Sequence, residues 1–167
     1  MLLKEKRRVL VGDHVTLHFE NRDTMHYQVQ EMLRAESSWL RPGAIDEELA
    51  AYNPIIPRQG ELSATMMIEY ATAAERALML PQFVAIDRHV WLRIGDAPAV
   101  LATFDEGQID EHKVSSVQYV KFALGDEHRR LLATDGTVLR ITIDHPAYRA
   151  QAVLSEETRK ALAADAA

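Results

Sequence analysis

Polar side chains crowd one short stretch, "HFENRDTMHYQVQEMLRAE", from His18 to Glu36. An alternating segment ends at Glu20, a helical pattern starts at once, and its turns carry Gln28 and Glu31. Residues three apart share a helix face, so Gln28 and Glu31 stand together at the edge of the apolar stripe. A carboxylate placed there is hydrogen-bonded, paired or protonated. Arg22, Arg34 and Tyr27 are within sequence reach as partners, which gives a buried polar network without metal. The competing chemistry is metal binding. His14 and His18 lie about 13 Å apart along a strand, too far to share one ion, whereas His18 and Glu20 lie about 7 Å apart and can converge. A third ligand then comes from Glu31 or from Glu69 on a neighbouring strand, a set suited to zinc, manganese or non-haem iron. His145, in "DHPAY", is a candidate ligand or general base, with strand capping or a bond to a nearby carbonyl as its structural role.

The elements that must position these groups are legible from periodicity. "RRVLVG" and "HVTLHFE" read as two strands joined at Gly12-Asp13. In the second, His14, Thr16, His18 and Glu20 face one way and Val15, Leu17 and Phe19 the other. Met25, Val29, Met32 and Leu33 form a helical stripe, with Asp23 expected as its N-cap. "PGAIDEELAAY" predicts a shorter helix with Ile45, Leu49 and Tyr52 on one face, followed by a loop at "NPIIPRQG". "ELSATMMIEY" alternates as a strand, and a helix follows to Met79. Strands are expected at "FVAIDRHVWLRIG", "PAVLATF", "VSSVQYVKFAL" and "TVLRITID", with a short helix near Asp126 to Ala133. An alanine-rich helix capped by Ser155 closes the chain. Strands outnumber helices without alternating strictly with them, so the expected class is α+β, one domain over residues 1–167, with a largely antiparallel sheet and helices on one side. Residues 1–6 and 163–167 are expected to fray.

Composition narrows the function classes. The chain of 167 residues has a formal net charge of −6, which argues against phosphate backbones and anionic lipid as partners. The basic run "KEKRR", Lys4 to Arg8, is expected to be a solvated segment before the first strand. With no cysteine, disulfides, thiolate zinc sites, protein-ligated iron–sulfur clusters and a cysteine nucleophile are excluded. No apolar run approaches the ~20 residues of a membrane span, and the N-terminus lacks the order of a signal peptide, so the expected compartment is the cytoplasm. Nucleophile-elbow, phosphate-loop, dinucleotide and His-Glu-x-x-His signatures are all missing.

The segments "FENRDTMHYQVQEMLRAE", "ELAAYNPIIP", "ELSATMMIEY", "RHVWLRIG", "KVSSVQYVKF" and "IDHPAYRA", in that order, resemble an uncharacterised bacterial family, the domain of unknown function DUF3501. The resemblance runs from about Arg7 to Ala150. Its pattern includes Glu20, Thr24, Gln28, Glu31 and Met32, then Tyr52, Asn53 and Pro54, then Glu69, Ser115, Ser116, His145 and Pro146. His18 departs from it, which moves the metal set to Glu20, Glu31, Glu69 and His145. The resemblance implies a redox or peroxide-stress setting, with rubrerythrin-like proteins or iron–sulfur oxidoreductase subunits as partners. Three readings follow. The first is a non-catalytic accessory or partner protein, with Glu20, Gln28 and Glu31 locking the fold or an interface. The second is a metal-dependent enzyme using iron, manganese or zinc. The third is a small-ligand module in which the polar sheet face and the "YNPIIP" loop form a pocket.

Overall fold

The computed structural model describes residues 5–108, 112 and 114–167. Nine strands form two antiparallel sheets among these residues. The first sheet has the order β1-β2-β3-β7-β6, from Arg8–Val11, Val15–Glu20, Glu61–Ile68, Val117–Ala123 and Thr103–Phe104. The second has the order β5-β4-β8-β9, from Val100–Leu101, Val90–Ile94, Leu139–His145 and Tyr148–Val153. Five α-helices accompany them: α1 Arg22–Ala35, α2 Ala44–Tyr52, α3 Ala73–Met79, α4 Asp126–Ala133 and α5 Glu156–Ala166. The α+β class holds, and the strands divide between two sheets.

Strict alternation explains the core. Leu17, Phe19, Leu62, Ala64, Met66, Ile68, Val120 and Phe122 bury one face of the first sheet. Val90, Leu92, Ile94, Leu139, Ile141 and Ile143 bury one face of the second, and all belong to one hydrophobic cluster. The run "PAVLATF", expected as one strand, changes partner midway: Val100 and Leu101 pair with β4, while Thr103 and Phe104 pair with β7. "FVAIDRHVWLRIG" is a strand only from Val90; before it, 3-10 turns at Leu80–Phe83 and Ile86–Arg88 drop Phe83 and Ile86 into the core. Gly12 sits in the β1–β2 turn at φ +72, with Ala150 Cβ 2.8 Å from where a side-chain carbon would stand. Only glycine fits that closeness and that backbone. The Tyr148 hydroxyl donates to the Val11 carbonyl beside it (2.6 Å) and accepts from the His14 amide (3.0 Å), joining the two sheets.

The chain end departs from expectation. Residues 163–166 complete α5, with Ala166 buried and Asp165 bound to Arg7. Residues 1–4 of the basic segment lie outside the described residues; Lys6 pairs with Glu157, Arg7 is buried, and Arg8 is the first residue of β1. Arg159, on α5, is also buried, and it binds the Leu132 carbonyl, Asp135 and Glu156. Its hydrogen bonds hold the Glu156 carboxyl down at about 2. A lowered carboxyl contributes stability that is complete above its ordinary value of 4.5 and lost as pH falls through about 2. Glu156→Gln is therefore less stable than wild type at neutral pH, and the gap narrows as the thermal midpoint is followed from pH 5 to about 2.

Candidate functional site

The polar face of the first sheet is built by register. His18, Thr65 and Tyr119 lie in one row across β2, β3 and β7. Thr16, Met67 and Val117 form the next row, and Glu20 sits opposite Ser63. A single residue, Asn21, separates β2 from helix α1, because the Asn21 side chain accepts from the Thr24 backbone amide (3.0 Å) and the Thr24 hydroxyl accepts from the Asn21 backbone amide (2.9 Å). Asn21, not Asp23, is thus the N-cap; its position immediately after the strand lets one capping box turn the chain. That tight turn holds Thr24, Met25 and Gln28 beside Glu20.

Between this face and the helices lies a cavity of about 280 Å³. Glu20, His18, Thr65 and Tyr119 contribute from the strands, Thr24 and Gln28 from α1, and Tyr52 and Ile55 from the end of α2 and the 3-10 turn after it. Met25, Met67 and Val117 make much of the rest apolar. Glu20 is buried, with 9% of its surface exposed. Its Oε2 accepts from the Thr24 hydroxyl at 2.5 Å and its Oε1 from the Thr65 hydroxyl at 2.9 Å. Burial, and secondarily Tyr52 and Glu20, push the Tyr119 phenol above its ordinary range, so it stays neutral at physiological pH. Arg7 also lines the cavity, but its two Nη atoms are engaged by Asp165 at 2.5 and 3.0 Å, and Asn21 donates to the same carboxylate at 3.1 Å.

The other expected site residues lie elsewhere. Glu31 is seven residues beyond Thr24, about 10 Å along the helix axis, where it pairs with Arg34 at 3.5 Å. Glu69 follows the far end of β3, its amide bonded to the His14 carbonyl, so about 20 Å of strand separates it from Glu20. It is exposed and accepts from the Thr16 hydroxyl at 2.6 Å. His145 belongs to β8 in the second sheet, buried against Phe83. Its Nε2 donates to the Val84 carbonyl (2.9 Å) and its Nδ1 accepts from the Ala147 amide (3.1 Å), which leaves neither nitrogen for a metal. Glu20, Glu31, Glu69 and His145 therefore do not converge. Among the described residues no group of three or more His, Asp or Glu is placed to hold a metal ion. Ser115 caps its own strand, accepting from the Val117 amide at 3.3 Å. Thr65, Tyr119 and the Arg7–Asp165 pair were not expected at the site. Alternation in "VQYVKF" does place Tyr119 on a row with Thr65 once the strands are paired, whereas a contact between residues 7 and 165 leaves no local signal.

Comparison with known proteins gives a family and a fold. A family model described as a protein of unknown function, DUF3501, matches residues 1–166. The crystal structure of a novel protein of unknown function from Burkholderia pseudomallei is similar, with 36% identity and a TM-score of 0.89, over 98% of this chain and 86% of that one. No curated protein matches. No helix among the described residues is long and apolar enough to cross a membrane.

Proposed function

For this chain, which belongs to the DUF3501 family, we propose a role as a non-catalytic module that binds a small molecule in the Glu20 cavity. One observation carries the reading: a buried carboxylate, oriented by two threonine hydroxyls, at the wall of an otherwise largely apolar cavity. A few convergent polar groups in an apolar hollow are the usual build of a ligand pocket. The "YNPIIP" segment supports it by supplying Tyr52 and Ile55 to the same cavity. The accessory role in redox or peroxide-stress metabolism is proposed in this narrower form, a protein that holds a small molecule for a partner system rather than transforming it.

A thermal-shift screen of small amphiphilic metabolites tests the reading. Saturation at a hundred times Kd adds about 2.7 kcal/mol to stability, a shift of several degrees in a chain of this size. We expect at least one compound to raise the wild-type midpoint, and Met67→Trp, whose indole fills the cavity, to lose that response. A compound that shifts both proteins equally binds elsewhere, and a screen that shifts neither refutes the reading.

A further inference from the structure

The charge of the cavity specifies the ligand further, given the binding role proposed above. Among its lining residues Glu20 is the one carboxyl group, Arg7 the one guanidinium and His18 the one imidazole, and Arg7 is half of a closed ion pair with Asp165. No lysine or arginine among the described residues reaches Glu20 at ion-pair distance. Its two threonine donors fill two of the roughly four acceptor positions of a carboxylate. Burying a carboxylate without a counter-charge is unfavourable, so among the described residues Glu20 is left short of one lysine or arginine charge.

We infer that the cavity takes a compact organic ammonium ion, its charged head at Glu20 and its apolar body against Met25, Ile55, Met67 and Val117. The aromatic rings of Tyr52 and Tyr119 line the same space and favour a cation over their faces. Tyr119, kept neutral by its raised phenol, adds no second anion. An anionic ligand meets repulsion from Glu20, and a neutral alcohol supplies a hydrogen bond without the missing charge. Size sets the body: the space is about twice the ~150 Å³ cavity that accepts benzene, which fits one ring with a short aminoalkyl arm.

Calorimetric titration with matched probes tests this. Phenethyl, benzyl and cyclohexylmethyl bodies, each as ammonium, alcohol and carboxylate, are titrated at pH 7 into wild type and Glu20→Gln. The expected result is an ammonium preference over the matched alcohol of about tenfold or more in wild type, lost in Glu20→Gln, with alcohol binding little changed. Equal binding of ammonium and alcohol, or a preference that survives Glu20→Gln, overturns the cation assignment and leaves the pocket reading intact. Silence from all nine probes in wild type overturns both. Should Glu20→Gln fail to fold, Thr65→Val, which removes one hydroxyl that orients the carboxylate, must weaken ammonium binding several-fold and spare the alcohols; unchanged ammonium binding counts against the assignment.

Discussion

Asp165→Ala lowers the stability of the fold by about 3–5 kcal/mol, the cost of leaving one member of a buried ion pair without its partner. The side chains of Arg7 and Asp165 are 9% and 8% exposed, and two hydrogen bonds join them. The substitution leaves a guanidinium facing the cavity and deprives the side-chain Nδ2 of Asn21 of an acceptor at the start of α1. Urea denaturation reads the loss directly. Arg7→Met with Asp165→Leu restores part of it, because two apolar side chains of similar bulk carry no unpaired charge. If the double substitution is as unstable as the sum of the singles, the two residues act independently and the pairing argument fails. Asp165→Ala alone also reaches the ligand site, since a freed Arg7 supplies the cavity with a cation of its own.

Phe83→Ala has an effect of the same order, about 3–5 kcal/mol for an aromatic ring removed from a core. Phe83 is fully buried, its ring parallel to His145 at 6.1 Å and tilted against Tyr148 at 5.5 Å. It ends the 3-10 segment, and the carbonyl of Val84 just after it accepts the hydrogen bond from His145 Nε2. The substitution should therefore lower the thermal midpoint by about 10 °C and loosen the His145 ring, visible as a change in the chemical shifts of its ring protons. A midpoint within 2 °C of wild type would mean that neighbours collapse into the space.

These two positions show where sequence reading succeeds and where it stops. Alternation in "HVTLHFE" and "ELSATMMIEY" assigned the core faces of β2 and β3 correctly, because a period of two follows from the pleat alone. The same logic over-extended "FVAIDRHVWLRIG", where apolar residues are buried by 3-10 turns instead of a pleat. Ile45 and Leu49, expected on one face with Tyr52, are 50% and 36% exposed, and the buried residue of α2 is Ala44 at its start. At the site, Glu20 and Gln28 were legible because strand end and helix start are adjacent in the chain. Glu69 was misplaced because its distance from Glu20 depends on which way β3 runs. His145 depended on which sheet its strand joins. Arg7, read as part of a solvated basic run, is fixed by a residue 158 positions away.

The partner exchange at Ala102 has a mechanical consequence. A single extended run is laced into both sheets, Val100 and Leu101 on one side and Thr103 and Phe104 on the other. Neither layer can peel away without dragging that thread from the other, and the Tyr148 hydroxyl adds a second stitch near the opposite edges. The two layers are therefore expected to melt in a single cooperative transition, with amide exchange in β3 and β8 slowed to the same degree, and the Glu20 cavity rests on a floor tied at both edges.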